Sequence, residues 1–175
     1  MGLHIHPPVP GDYAEYFHRY VSLVPPGDIL EILRDQAQST LEWLGRLTPE
    51  QAAYRYAEGK WSVRQLMGHI VDTERIMAYR ALRLSRNENI PLPGFEQDIF
   101  VEYAPHDRMP LLEILEEYTH VRSATLCLLR SMDEAAWDRA GIVSNNHVTV
   151  RALAWIIAGH ELAHLQVLRA RYQLS

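Results

Sequence analysis

The segment His160-Glu161-Leu162-Ala163-His164 contains the residues of this chain that are best suited to chemistry. On an α-helix, two histidines at i and i+4 stand about 40° apart around the axis and about 6 Å apart along it. Both imidazoles can therefore reach one metal ion. The letters match the HExxH signature of zinc proteases, in which the glutamate serves as general base.

The residues after the second histidine do not complete a protease site. Proteases of this kind take a third ligand from downstream, either a glutamate on a following helix or a histidine after a glycine turn. The eleven residues that follow His164 contain no Asp, Glu, His, Cys or Gly. We therefore expect a third protein ligand from upstream.

Helical periodicity indicates His69 as that ligand. Both His160 and His164 belong to the inward stripe of the last predicted helix, and two buried imidazoles side by side are costly unless they share an ion or a proton. His69 lies on the apolar stripe of an earlier helix, so the three can converge at mid-bundle. Three imidazoles with an open fourth position are typical of a catalytic metal site, and the alternative is a buried polar cluster without metal. The predicted stripe of the last helix is Leu153, Ile156, Ile157, His160, His164, Val167 and Leu168.

The other six histidines are expected at the surface, as is usual for histidines in tails, loops and acidic helix faces. One of them immediately precedes the last helix, so its loop could overhang the site. These histidines are His4, His6, His18, His106, His120 and, before the last helix, His147.

Three charged residues near the candidate ligands are candidates for further roles. Glu161 directly follows a ligand and points about 100° away from it, so it is either the catalytic general base or a supporting or surface carboxylate. Asp72 lies three residues after His69, and Arg80 is an ionic residue on a core stripe. Both could support the ligands or bind substrate, and a salt-bridged or snorkelling Arg80 is the alternative.

Four long stretches have helical periodicity, and almost nothing alternates with period two. The sequence therefore predicts an all-α four-helix bundle with a long crossover between its second and third helices. That crossover is rich in proline and is expected to be irregular and to cover the site. The predicted helices span 28–47, 62–86, 110–131 and 149–172; short turns are predicted at 48–51 and 133–139, the crossover at 87–109 and a loop at 140–147.

Length and charge indicate one globular domain of 175 residues, with residues 1–24 packed on the bundle as an arm or short helix. The net charge of −5 is spread along the chain and provides no basic face for nucleic acid.

The apolar run 152–159 is too short to span a membrane, and the proline-rich first ten residues are unlike a signal peptide, so a cytoplasmic protein is expected. The single cysteine, Cys127, excludes an internal disulfide and is expected to be buried.

Five segments of the chain, 24–29, 55–62, 68–75, 91–95 and 157–161, are together similar to the DinB/YfiT-like superfamily of metal-dependent enzymes. The resemblance implies a four-helix bundle whose histidines, here His69, His160 and His164, hold a divalent metal such as zinc, nickel, iron or manganese. It also implies a homodimer. Many relatives have consecutive histidines at the end of the motif, whereas this chain has Ala163 before His164.

The resemblance leaves three functions open. Characterised relatives include transferases and isomerases that use bacillithiol, mycothiol or glutathione, so the first is an enzyme whose metal activates a thiol or water for attack on a small-molecule electrophile. The second is a metal-dependent hydrolase with Glu161 as base. The third is a metal-binding stress-response protein without turnover.

Overall fold

The computed structural model describes residues 5–172 and 174, so His4 lies outside the described residues. Most of the described chain is helical. A 3-10 turn, Glu15–Phe17, precedes the first helix, and another, His106–Arg108, precedes the sixth. The helices are α1 His18–Val21, α2 Ile29–Leu44, α3 Pro49–Ala53, α4 Val63–Ser85, α5 Gln97–Tyr103, α6 Leu111–Arg130, α7 Glu134–Asp138 and α8 Val150–Arg171; the strands are β1 Ala140–Val143 and β2 Asn146–Thr149.

Side-chain caps fix the starts of three of the four long helices. Asp28 accepts hydrogen bonds from the first turn of α2, and Thr149 accepts one from the first turn of α8. Ser62 and Gln65 form the expected capping box at the start of α4. The four predicted long helices are confirmed to within a few residues. The largest difference is the end of α2, which stops before Gly45 rather than near residue 47 because glycine is a poor helix former.

The four long helices form the predicted bundle. Helix α4 packs against α6 and α8, and α2 packs against the same two helices, so α2 and α4 lie at opposite corners. Helices α6 and α8 occupy the other two corners. Residues from α4 and α8 that face each other therefore lie on a direct helix–helix interface.

A short antiparallel hairpin replaces the predicted loop before α8. Strands β1 and β2 pair with Ala140 opposite Thr149, and the two turn residues, Ser144 and Asn145, both have positive φ. Positive φ at both positions is the geometry of a type I′ turn. Four-residue strands are too short to produce a recognisable alternation in the sequence, which is why the prediction missed them.

The crossover between α4 and α6 is more ordered than predicted. It contains helix α5 and the 3-10 turn His106–Arg108. The Leu92 amide donates to the Ile142 carbonyl, and the Ser144 amide donates to the Leu92 carbonyl, both at 2.9 Å. These bonds attach the crossover to the hairpin and hold it in place.

The N-terminal arm packs on α8 at a glycine. A Cβ atom on Gly159 would overlap the backbone carbonyl of Tyr20, so glycine is required for the close approach of α1. Phe17 and Val21 are buried at this contact. The arm therefore adds apolar side chains to the core.

Three predicted burial states are wrong. Cys127 is exposed because it lies 200° around α6 from the buried residues Thr125 and Leu129. Val167 is 36% exposed although it was assigned to the inward stripe of α8, and Leu165 is buried instead. His106 is buried because it packs on the bare backbone of α4 at a glycine.

None of the helices in residues 5–172 is both long and apolar enough to cross a lipid bilayer.

We predict that Gly159→Ala lowers the free energy of unfolding by about 1–3 kcal/mol, because the added methyl group must displace α1. Helix propensity alone would give the opposite sign, a gain of about 1 kcal/mol. Urea unfolding followed by circular dichroism measures the change. Ser123→Ala, on the exposed face of α6, is the control and should be neutral or slightly stabilising. A more stable Gly159→Ala protein would contradict the assigned packing.

Candidate metal centre

The structure brings the three predicted ligand histidines together at the interface of α4 and α8. The Nε2 atoms of His69 and His164 each lie 3.1 Å from Nε2 of His160. All three ligand atoms lie within 4.8 Å of one another. Two nitrogens bound to one tetrahedral zinc ion are roughly 3.3 Å apart, so this spacing is close to that of a shared ion.

Burial keeps these imidazoles neutral. Burial, with a smaller contribution from the neighbouring His164, lowers the pKa of His69 to about 3. Burial lowers the pKa of His164 to about 4. Burial, followed by the two other histidines, holds the pKa of His160 well below its usual range. A metal ligand must offer a deprotonated nitrogen, so the environment suits metal binding.

Aromatic side chains flank the cluster on two sides. The Trp61 ring centroid is 4.9 Å from that of His69, and the Tyr20 ring centroid is 5.5 Å from that of His160. Trp61 comes from the segment before α4, and Tyr20 comes from the N-terminal arm. Sequence reasoning did not assign either residue to the site, because both belong to segments without helical periodicity, whose position on the bundle the sequence does not give.

Two cavities reach the cluster. One, of about 590 Å³, is lined by His69 and His160 together with residues of the arm, the crossover and the hairpin turn. The other, of about 500 Å³, is lined by His164, Trp61 and further residues from the start of α4, the segment before it, α5 and the end of α8. Asp98 of α5 lines both cavities. The crossover therefore covers the site, as expected from its length.

The two charged candidates near the cluster differ in position. Arg80 lines the larger cavity with His69 and His160. Asp72 faces a separate apolar cavity. Its Oδ1 atom lies 3.6 Å from Nη1 of Arg75. Burial raises the pKa of the Asp72 carboxyl. Of these two candidates, Arg80 is therefore the one that lines a cavity together with the cluster histidines.

Glu161 points away from the cluster into the bundle interior. Its Oε1 accepts hydrogen bonds from Thr40 at 2.6 Å and Tyr118 at 2.8 Å. Its Oε2 accepts one from Arg122 at 2.6 Å. Within residues 5–172 and 174, these are the hydrogen bonds of its side chain. Both oxygens are thus engaged, and these contacts favour a structural role over that of general base.

Arg122 extends this buried network to the other helices. It forms a two-pronged ion pair with Glu74 of α4 and donates to the Leu33 carbonyl of α2 at 2.6 Å. Both Arg122 and Glu74 are nearly inaccessible to solvent. Sequence reasoning missed this network. The available signal was Arg122 itself, an ionic residue one turn after Tyr118 on the apolar stripe of α6.

The remaining histidines mostly match their predicted positions. His6, His18, His120 and His147 are exposed. The turn before His147 does overhang the site, since Ser144, Asn145 and Asn146 line the larger cavity. The overhang predicted from His147 is therefore provided by its neighbours. His106 is the exception, being buried.

The fold and the site define a four-helix-bundle protein with a buried three-histidine cluster open to cavities. A sequence profile of the DinB superfamily matches residues 32–168, which is most of the chain. The chain therefore belongs to the DinB superfamily.

Three known proteins illustrate what this chain is similar to. A protein of Oceanobacillus iheyensis named "Putative metal-dependent hydrolase" is 26% identical over 131 residues, which are 72% of this chain and 75% of that protein. YfiT from Bacillus subtilis, described as "a probable metal-dependent hydrolase with an unusual four-helix bundle topology", has a TM-score of 0.73 at 17% identity and covers 84% of this chain and 87% of its own. A mycothiol-dependent maleylpyruvate isomerase has a TM-score of 0.67 at 12% identity and covers 88% of this chain and 63% of its own. The two structural similarities show the fold alone.

We predict that His69→Ala reduces divalent metal in the tag-free protein from about one ion per chain to a small fraction, because two imidazoles hold an ion far less tightly than three. Elemental analysis after incubation with zinc and desalting measures the content. His120→Ala is the matched control, since the His120 side chain is 77% exposed and lies on α6. Equal metal in both variants would rule out the cluster as the binding site.

We predict that Glu161→Gln lowers the free energy of unfolding by about 3 kcal/mol, because the buried Arg122 loses one of its two charged partners. Urea unfolding of the metal-free protein measures this loss. Metal content should stay at the wild-type level. Glu116→Gln, whose parent side chain is 74% exposed, is the control and should be neutral. Wild-type stability in Glu161→Gln would show that the network is not the role of this carboxylate.

Proposed function

We propose that this protein is a metal-dependent enzyme in which His69, His160 and His164 hold one divalent cation. The observation that carries the proposal is the convergence of three Nε2 atoms, in which those of His69 and His164 each lie 3.1 Å from that of His160. Neutral imidazoles so close together in an apolar interior leave lone pairs that a shared cation would satisfy. Three nitrogen donors suit zinc, nickel or iron and do not choose between them.

The chain's own residues would leave part of the coordination sphere open. The cavities at His69 and His160 on one side and His164 on the other provide room for a small molecule beside the ligands. A divalent ion bound here would supply Lewis acidity and lower the pKa of a water or thiol at the open position. This accessibility favours catalysis over a closed storage or structural site. The non-catalytic metal-binding protein is therefore the weaker candidate.

The contacts of Glu161 bear on the kind of reaction. A hydrolase that used this carboxylate as base would need it near the open position, whereas Thr40, Tyr118 and Arg122 hold it in the interior. We therefore propose a reaction that does not use Glu161, with water or a low-molecular-weight thiol as the attacking group. The names of the hydrolase-like relatives support water, and the mycothiol-dependent relative supports a thiol.

Three further expectations stay predictions. A small-molecule substrate fits the size of the cavities, which lies within the usual range for ligand sites. The homodimer and the cytoplasmic location follow only from the resemblance and from the composition.

Turnover by the metal-loaded protein tests the proposal. The substrates are nitrophenyl esters for hydrolysis, and 1-chloro-2,4-dinitrobenzene with bacillithiol, mycothiol or glutathione for thiol transfer. Activity should fall at least a hundredfold in His164→Ala and after chelation, because the cation activates the attacking group. His147→Ala, at an exposed position on the hairpin, is the control and should keep wild-type activity.

The thiol requirement separates the two reaction types. Activity that needs no thiol supports hydrolysis, and activity that needs one supports transfer. Activity that survives both chelation and His164→Ala would arise elsewhere and would overturn the metal-dependent proposal.

A further inference from the structure

Arg80 is a buried cation without a buried anion. Its side chain belongs to α4 and is 3% exposed. The guanidinium donates to the Pro93 carbonyl and to Ser144 Oγ, each at 2.9 Å, and contacts the Met77 sulfur at 3.4 Å. Within residues 5–172 and 174, no carboxylate lies within ion-pair distance of it. A buried charge is costly without a partner of opposite sign.

The other buried arginines show that this chain normally supplies such a partner. In the described residues, three arginines are buried: Arg80, Arg122 and Arg151. Arg122 pairs with two carboxylates and Arg151 pairs with Asp138. Only Arg80 is left with neutral acceptors. Within the described residues, Arg80 therefore differs from the other two buried arginines in having no carboxylate partner.

The Arg80 guanidinium and the histidine cluster share one space. Arg80, His69 and His160 line the same cavity of about 590 Å³. Arg80 follows His69 by eleven residues on α4, which is three turns of nearly the same face and about 16 Å along the axis. Helical side chains lean toward the N-terminus, so the guanidinium and the His69 imidazole are displaced in the same direction, and the longer arginine side chain reaches back over only part of the separation. An elongated organic molecule in the shared cavity can contact both groups.

Two acidic residues, Glu96 and Asp98, also line this cavity. Both are exposed, so their charges are screened by water and neither neutralises the buried guanidinium by contact.

We propose that Arg80 binds the carboxylate of the substrate, so that the protein acts on a small organic acid whose opposite end reaches the histidine cluster. This inference deepens the proposed function. It relies on that proposal for the reaction at the end of the substrate that reaches the histidine cluster. A carboxylate is the preferred partner because it has the opposite charge and two acceptor oxygens, and because Nε and Nη1 of Arg80 keep N–H donors that the bonds from Nη2 to Pro93 and Ser144 do not use. The neutral contacts with Pro93 and Ser144 then hold the Arg80 side chain in position from the crossover and the hairpin.

Binding of matched acids to the full-length protein tests the inference. The probes are the dicarboxylates glutarate, adipate, pimelate and suberate, with butyrate, hexanoate and octanoate as monocarboxylate counterparts. In the zinc-loaded protein, one carboxylate can bind at the cation and the second at Arg80. At least one dicarboxylate should bind about tenfold more tightly than the monocarboxylate of similar length, as isothermal titration calorimetry measures.

Variants of Arg80 identify the group responsible. Arg80→Gln should abolish the preference for the dicarboxylate and leave zinc content and monocarboxylate binding unchanged. Arg80→Lys should retain part of the preference, because it keeps the charge and loses the planar fork. His120→Ala is the control and should behave as the wild type. The wild-type comparison needs no variant to fold, so equal binding of mono- and dicarboxylates overturns the inference by itself.

The metal-free protein separates this inference from the metal proposal. Glutarate or adipate should raise the melting temperature of the metal-free wild type and not that of metal-free Arg80→Gln. If the protein fails to load metal but shows this difference, the carboxylate site stands and the metal proposal fails. If it loads metal and shows no preference, the carboxylate site fails and the metal proposal stands. If Arg80→Gln loses stability and the wild type shows no preference, Arg80 serves only to connect the crossover to the hairpin.

Discussion

The buried carboxylate of Glu161 constrains the arrangement of the whole bundle. A charged group in an apolar interior is tolerated only when donors meet it in correct geometry. Those donors come from Thr40 on α2 and from Tyr118 and Arg122 on α6. Arg122 in turn requires Glu74 of α4. The network therefore contains a side chain from every long helix, and displacing any one of these helices would remove a hydrogen bond or an ion pair from a buried charge.

This constraint also determines where the histidines face. Glu161 follows His160 directly, so fixing the direction of the carboxylate fixes the rotation of α8 about its axis. With Glu161 turned into the bundle interior, His160 and His164 turn toward α4, where His69 meets them. Residues from the arm, the crossover and the hairpin then line the larger cavity beside the cluster. These segments are far apart in sequence, and backbone contacts at Gly159 and Leu92 hold two of them there.

Local sequence patterns were sufficient for the long helices and the convergence of the histidines. Local causes produce the helix caps at Asp28 and Ser62 and the apolar stripes of the helices. These features could therefore be recognised without knowing which element packs against each helix. The hairpin and the burial of His106 could not, because both arise from tertiary packing. The Glu161 environment was also beyond reach, since a single helix position tells only that its side chain points about 100° from His160. Which neighbouring helix lies in that direction is a property of the topology.

The same argument explains how an HExxH segment can serve two purposes without a protease fold. The two histidines lie about 40° apart on the helix, and the glutamate lies about 80° from their mean direction. Whether that glutamate reaches the metal-binding side therefore depends on where the third ligand comes from. Here His69 approaches from α4, while α2 and α6 occupy the side that Glu161 faces. The two histidines of the segment therefore face His69 and complete the cluster. The glutamate binds side chains of α2 and α6 and so stabilises the rotation of α8 that the cluster requires.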